Sequence, residues 1–113
     1  MKDNIAQDTV NKLLIEIRRG DLVLAALVLL EEPDYGYGLL KLLKDRGLDV
    51  SQDTLYPLLR RLEAQGFLTG DWDTRNNRPR KMYRIREECR PIRDRLIEDW
   101  KQQKKLMEEI LWK

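Results

Sequence analysis

SQDTLYPLLRRLEAQGFLTGDWDTRNNRPRKMYRIR, residues 51–86, is the stretch that decides the fold of this 113-residue chain. In its first part, four leucines recur at the spacing of one helix face and predict a helix from Ser51 to Gln65: Leu55, Leu58, Leu59 and Leu62. Gly66 is expected to end this helix, because glycine adopts a left-handed C-terminal cap without strain. Pro57 lies near the helix start, so we expect a loosened or slightly bent first turn.

The second part of the stretch predicts a hairpin. Apolar residues at 67–72 and 82–85 flank a polar turn at 75–78, in the order strand, turn, strand. We expect Asn76 and Asn77 to adopt the left-handed conformations that a tight turn requires. Pro79 either makes the second strand an edge strand or lies outside the ladder, because proline has no N–H to donate.

The flanking sequence predicts further helices. Apolar residues at helical spacing indicate a helix over residues 8–18, which Gly20 interrupts, and Asp21 can cap a buried core helix through residues 22–30. A third helix is expected from Tyr37 to Asp45, stopped by residues 46–47. The final segment, residues 87–112, predicts a long helix with Pro91 in its first turn. The expected fold class is mostly α with a two-stranded β-wing: a winged helix-turn-helix over residues 1–86 and a long C-terminal dimerisation helix over residues 87–113.

The charge is unevenly distributed. The net charge is only +2, yet residues 74–86 hold six cations and no acid, whereas residues 21–73 sum to −5. A basic segment of this kind is the electrostatic signature of a phosphate-binding element. The alternative is a solvated charged turn with no partner.

Several classes of protein are excluded by composition. With one cysteine, Cys89, no intramolecular disulfide can form, and the absence of histidine removes the commonest general base and metal ligand. The longest apolar run, nine residues from Leu22 to Leu30, is too short to span a bilayer, and the N-terminus does not resemble a signal peptide. We therefore expect a cytoplasmic protein that is not an enzyme, needs no cofactor or metal, and has no membrane partner.

The predicted hairpin follows a helix whose outward face is polar, which is the order of elements that bind duplex DNA in winged helices. Arginine and glutamine suit base edges, while hydroxyls and the hairpin cations suit phosphate oxygens. The candidate DNA-binding residues are Ser51, Gln52, Thr54, Tyr56, Arg60, Arg61, Arg75, Arg78, Arg80 and Lys81. Tyr56, like Tyr37, is equally well explained as a core ring. Adjacent helix residues point about 100° apart, so only one of Arg60 and Arg61 is expected to face the groove, and Arg60 is favoured.

The same motifs resemble those of the PadR family of transcriptional regulators. The matching residues run in the family's order from Gly20-x-Leu22 through Tyr35-Gly36-Tyr37-Gly38, the helix segment 54–63 and Gly66-Phe67-Leu68 to residues 78–85. Arg86 and Cys89 depart from the family's usual threonine and glycine, so the turn into the last helix is expected to differ.

The resemblance implies a homodimer that binds a palindromic operator and represses until a small hydrophobic, aromatic or cationic ligand releases it. The last helix would then pack against the partner's N-terminal helix, as in the short-tailed branch of the family. The implied dimer interface consists of Val10, Leu13, Leu14, Ile17, Ile92, Leu96, Trp100, Met107 and Ile110. Trp100 and Met107 would also contact the ligand, since that branch includes members with a tryptophan-lined cavity between subunits. The alternative from another class is a winged-helix module for protein–protein interaction that does not read DNA.

Overall fold

The computed structural model describes the backbone of residues 2–113 and the side chains of residues 6–113. The elements are, in order, α1 (Lys2–Leu29), β1 (Asp34–Tyr35), α2 (Gly36–Asp45), α3 (Gln52–Ala64), β2 (Leu68–Asp73), β3 (Arg80–Ile85), a 3₁₀ turn (Glu87–Cys89) and α4 (Arg90–Leu111). This mostly helical chain with a small antiparallel sheet confirms the predicted fold class. No helix within residues 2–113 has both the length and the apolar character needed to cross a membrane.

The prediction that Gly20 separates two helices is wrong, because α1 continues through it. A glycine inside a helix costs only about 1 kcal/mol relative to alanine, which the helix-forming residues on both sides offset. Asp21 consequently caps no helix. Its carboxylate instead accepts a hydrogen bond of 2.9 Å from Nε1 of Trp100 in α4.

The core lies between the C-terminal half of α1, α2, α3 and the base of the sheet. Its largest fully buried side chains are Leu27, Leu30, Leu39, Leu43, Leu55, Leu59, Leu68 and Ile85. All four leucines predicted for the inner face of α3 are buried. The predicted core helix at residues 22–30 is buried along one side only, since Val28 is exposed.

The sheet has three strands in the order β1-β3-β2, one more than the predicted wing contains. Strand β3 is central and antiparallel to both neighbours, with Leu68 opposite Ile85, Asp73 opposite Arg80, and Tyr35 opposite Met82. A two-residue strand such as β1 has too short a pattern to be recognised in sequence.

The turn between β2 and β3 is longer than predicted. Residues 74–79 separate the paired Asp73 and Arg80, and within residues 2–113 no residue other than glycine has a positive φ. The expectation of left-handed Asn76 and Asn77 is therefore wrong, because a six-residue loop can reverse direction without them. Pro79 lies outside the ladder, as one of the two expectations for it required.

Helix α3 begins and ends as its sequence indicates. The Thr54 N–H donates to the Ser51 carbonyl at 3.1 Å, a 3₁₀-type bond that tightens the first turn, and the helix runs on through Pro57. At its end Gly66 has a φ of +87°. Phe67 N–H donates to the Leu62 carbonyl and Gly66 N–H to that of Glu63, which is the hydrogen-bond pattern of a Schellman motif.

Helix α4 is attached to the rest of the chain by few contacts. Near its start, Glu31 accepts hydrogen bonds from Arg90 at 2.6 Å and Arg93 at 3.1 Å, which lowers the pKa of the Glu31 carboxyl. Pro91 lies in the first turn as predicted, and Leu96 packs against the core. No residue of α4 is fully buried within the single chain.

We expect the same substitution to act in opposite directions at two glycines. Gly20→Ala should stabilise the protein by about 0.5–1 kcal/mol, because Gly20 is helical and an added Cβ meets no atom within 4 Å. Gly66→Ala should destabilise it by about 1–2 kcal/mol, because its left-handed backbone is strained for alanine although the space is also empty. Chemical unfolding at equal protein concentration measures both, and destabilisation by Gly20→Ala would contradict the continuous helix.

Candidate nucleic-acid interface

The outward face of α3 carries Gln52, Tyr56 and Arg60 on successive turns. These three, with Asp53 and Pro57, line a shallow surface on the side of the helix away from the core. Ser51 precedes the helix, and its hydroxyl donates to Oγ1 of Thr54 at 3.3 Å. Gln52 and Arg60 are exposed, and Arg60 forms no ion pair with any described residue. We call Gln52, Tyr56 and Arg60 the reading face.

Tyr56 combines both interpretations that the sequence left open. Its ring packs closely on the start of α2, since a Cβ added to Gly36 would lie 3.1 Å from Cε1 of Tyr56. The ring also contacts the core and is half-buried. Its hydroxyl makes no hydrogen bond with a described residue. The ring is therefore structural, while the hydroxyl is free to bind a ligand.

The two adjacent arginines of α3 lie on different sides of the helix. Arg60 lies toward the sheet, in a cleft shared with Tyr37, Trp72 and Arg80. Arg61 lies toward α1, beside Ile15 and Arg19. Of these two arginines, Arg60 belongs to the reading face and lies next to the hairpin, whereas Arg61 does neither.

This cleft, between α3 and the sheet, has a volume of about 320 Å³. Its walls are aromatic and cationic: Tyr35, Tyr37, Tyr56, Trp72, Tyr83, Arg60, Arg80 and Lys81. Tyr37 and Trp72 are 70% and 64% exposed, and sequence reasoning did not include either among the candidates for DNA binding. Trp72 lies opposite Lys81 in the ladder, and such cross-strand neighbours could be inferred only once the register was known.

Lys81 is half-buried between the hairpin and α3. Its ammonium forms an ion pair of 2.5 Å with Glu63 of α3 and lies 5.6 Å from the Trp72 ring and 5.7 Å from the Tyr83 ring. The hydrogen bond to Glu63 raises the pKa of Lys81, and burial raises the pKa of Tyr83. Lys81 thus joins the hairpin to α3, a role that the sequence-based interpretation as a free phosphate ligand did not include.

Arg75 is also paired. Its Nε and Nη2 donate to Oδ1 and Oδ2 of Asp73 at 2.9 and 2.8 Å, and its backbone N–H donates to Oδ1 at 3.1 Å. The Tyr35 hydroxyl donates to Oδ2 of the same carboxylate at 2.5 Å. Arg75 and then Tyr35 hold the pKa of Asp73 far below its usual range, and Asp73 raises that of Arg75.

The remaining cations of the basic segment differ in how free they are. Arg78 and Arg84 are exposed and form no ion pair with any described residue. The Arg80 guanidinium stacks 4.0 Å above the Tyr35 ring without a carboxylate partner. Arg86 pairs with Glu88 at 2.8 Å. Two uncompensated charges, Arg60 and Arg80, therefore line the cleft between α3 and the hairpin, whereas Arg84 lies on the face of β3 opposite to Lys81 and Tyr83.

A second, apolar groove of about 470 Å³ lies between α1, α2 and α4. It is lined by Leu24, Ala25, Val28, Leu29, Leu43, Leu48 and Ile97, with Asp21, Arg46 and Trp100 as polar groups. Of the two residues expected to contact a ligand, Trp100 lines this groove, whereas Met107, two turns further along α4, does not.

The residues expected at a dimer interface are mostly uncovered in the single chain. Val10, Leu13, Ile17, Ile92, Trp100, Met107 and Ile110 are exposed, and Leu14 and Leu96 are half-buried. Further exposed apolar residues on the same two helices, or directly after α4, were not predicted for the interface: Ile15, Val28, Leu106, Leu111 and Trp112.

Comparisons with known proteins agree with this geometry. The model of the transcriptional regulator PadR-like family matches residues 23–91, more than half of the chain. A PadR family transcriptional regulator from Eggerthella lenta is 39% identical, with 95% of this chain and 96% of that one covered and a TM-score of 0.83. A PadR-like transcription factor from Bacteroides fragilis is 30% identical over 88% of this chain and 98% of that one, with a TM-score of 0.73. Among curated proteins, none matches this sequence.

The family match covers the C-terminal quarter of α1, the helix-turn-helix, the whole hairpin and the start of α4. It thus includes the reading face, the cleft and every cation of the basic segment. The chain belongs to the PadR-like family of transcriptional regulators.

Proposed function

We propose that the protein is a repressor that binds a palindromic operator as a homodimer and that a small ligand releases it from DNA. The observation that carries this proposal is the pair of uncompensated arginines, Arg60 of α3 and Arg80 of β3, that line one cleft, with Arg78 exposed in the adjoining turn. In a winged helix these positions face the duplex. The proposal places the protein in the cytoplasm with its DNA and assigns it no catalytic role.

Base reading is assigned to α3. Gln52 and Arg60 project from the reading face and carry the groups that pair bidentately with adenine and guanine edges. The hydroxyls of Ser51, Thr54 and Tyr56 are suited to phosphate oxygens at the rim of the groove. Arg61, on the side of α1, is assigned a backbone contact.

Backbone binding is assigned to the hairpin. Arg78 and Arg80 are free to neutralise phosphates, while the ion pair of Arg75 must first open. Lys81 is assigned to holding the hairpin on α3 through Glu63, and it contacts DNA least. Tyr37, at the rim of the cleft, adds an exposed hydroxyl close to Arg60 and Arg80.

Dimerisation is assigned to α4 and to the N-terminal half of α1. A 22-residue helix without one buried residue leaves apolar area that a second copy of the chain can cover. Residues 1–86 would then bind DNA, and residues 87–113 would hold two such units about one helical turn of DNA apart, roughly 34 Å.

Ligand release is assigned to the apolar groove beside Trp100. Its volume suits a small aromatic molecule, and Asp21 offers a negative charge to a cationic one. A ligand there contacts α1, α2 and α4 together, so it can shift the angle of α4 and with it the spacing of the two reading helices.

We expect Arg78→Ala to weaken binding to every duplex sequence alike, because it removes one phosphate contact. The slope of log affinity against log salt should become shallower by about 0.9, and affinity at 0.1 M salt should fall about eightfold. Arg95→Ala, which removes an exposed arginine from α4, is the control with the same change in charge. If the wild type binds no duplex at low salt, the DNA-binding proposal fails and the interaction-module alternative, which the net charge of −5 over residues 21–73 favours, is the one that remains.

We expect Arg60→Ala and Arg61→Ala to differ in kind. Loss of Arg60 should reduce discrimination at one base pair of the operator by about 1–3 kcal/mol, because a base-edge contact is lost. Loss of Arg61 should weaken operator and unrelated duplex equally. Competition binding against single-base operator variants measures both, and the reverse pattern would assign base reading to Arg61.

We expect Trp100 fluorescence to report ligand binding. In a variant with Trp72→Phe and Trp112→Phe, Trp100 is the sole tryptophan. A planar aromatic cation should quench its emission saturably and lower operator affinity over the same concentration range. The variant that also carries Asp21→Asn should bind the cation more weakly because a partner charge is lost. Unchanged emission and operator affinity across a panel of such cations would contradict the ligand site.

A further inference from the structure

The carboxylate of Asp73 occupies the position that a DNA phosphate would take on Arg75. Two parallel N–H···O bonds of 2.9 and 2.8 Å join guanidinium and carboxylate, which is the bidentate geometry that arginine also forms with phosphate. The Arg75 side chain is 81% exposed, so its outer edge faces solvent on the hairpin, while the Asp73 side chain is only 9% exposed. Arg75 thus lies on the surface with its charge already compensated.

The carboxylate is held in place from two further directions. The Tyr35 hydroxyl donates to Oδ2, and the Arg75 backbone N–H donates to Oδ1. Tyr35 is itself held in the sheet by the pairing of β1 with the central strand β3, where it lies opposite Met82, so its hydroxyl keeps the Asp73 carboxylate at the sheet when Arg75 moves. A phosphate that binds Arg75 must therefore compete with an acceptor that remains nearby.

The same network leaves the neighbouring arginine uncompensated. Arg80 lies opposite Asp73 in the ladder, but its guanidinium stacks on the face of Tyr35 at 4.0 Å. Asp73 therefore neutralises one hairpin arginine, and Tyr35 orients the other without neutralising it.

We propose that Asp73 is an intramolecular competitor of the DNA backbone, a positioning residue that keeps Arg75 out of sequence-independent phosphate binding. This inference rests on the proposed function. It identifies Asp73 as a residue that limits how strongly the hairpin binds any duplex. Release of Arg75 adds one phosphate contact and the displacement of the counterions that accompany it.

The test compares two variants that gain the same charge on the same strand. Asp73→Asn removes the partner of Arg75 but keeps an oxygen that can accept from Tyr35. Asp71→Asn removes an exposed carboxylate two residues away that pairs with no described arginine. On a duplex of unrelated sequence, Asp73→Asn should raise affinity by up to about eightfold at 0.1 M salt and steepen the salt slope by about 0.9. Asp71→Asn should leave the slope unchanged.

A third variant separates the freed arginine from the added charge. Asp73→Asn combined with Arg75→Ala has the wild-type net charge, and we expect wild-type affinity and slope from it. If its affinity stays as high as that of Asp73→Asn alone, the gain does not come through Arg75 and the proposal is overturned. Equal slopes for Asp73→Asn and Asp71→Asn would overturn it as well.

A measurement that needs no change at Asp73 covers the case in which that variant unfolds. Arg75→Ala alone should leave the salt slope unchanged, whereas Arg78→Ala makes it shallower, because only Arg78 is free to bind a phosphate in the wild type. Equal losses of slope in these two variants would show that Asp73 does not compete. Failure of the proposed function is distinguished by the wild type, which would then bind no duplex, and in that case both proposals fall.

Discussion

The burial of one leucine face of α3 is the constraint on which the rest of the molecule depends. Leu55 and Leu59 are fully buried against α1, α2 and the base of the sheet, and each such side chain contributes about 1.5–3 kcal/mol. Because these leucines fix the rotation of the helix about its axis, Gln52 and Arg60 point outward, and Tyr56 lies at the boundary with its ring packed on α2. Glu63, on the same helix, then meets Lys81 and ties the hairpin to α3. The packing of this leucine face therefore sets both the reading face and the position of the hairpin beside it.

The six cations of residues 74–86 are not equally available to bind phosphate. Lys81, Arg75 and Arg86 each have a carboxylate partner within the chain, whereas Arg78, Arg80 and Arg84 have none among the described residues. Of these pairs, that of Arg86 with Glu88 is exposed on both sides, and it contributes little to stability because solvent screens it. The effect of the pairs is on availability, since a paired arginine meets a phosphate only when its own partner is displaced. Tyr35 contributes to this difference, because its hydroxyl donates to Asp73 and its ring stacks with the Arg80 guanidinium.

Helix α4 combines a firm attachment at its start with an uncovered remainder. Glu31 holds Arg90 and Arg93, Asp21 accepts from Trp100, and beyond these contacts the apolar side chains of α4 have no cover within the chain. The contacts at the start of α4 therefore fix the direction of the helix, while its apolar side chains remain exposed. This arrangement suits an arm that joins two copies of the chain, and the groove beside Trp100 lies where the arm leaves the core.

Sequence alone determined the fold class, the inner face of α3 and the place of the basic segment, because these depend on local periodicity, cap residues and composition. The family followed from a resemblance in the order of its motifs. Sequence reasoning misjudged Gly20, since the helix-forming residues around a single glycine outweigh its modest helix penalty, and it did not detect β1, since two residues have no period. Only the tertiary structure decided which cations are free. Asp73 and Tyr35 are 38 residues apart, and Glu63 and Lys81 meet across two elements. Partners of this kind are set by strand register and helix rotation, which no pattern within one segment contains.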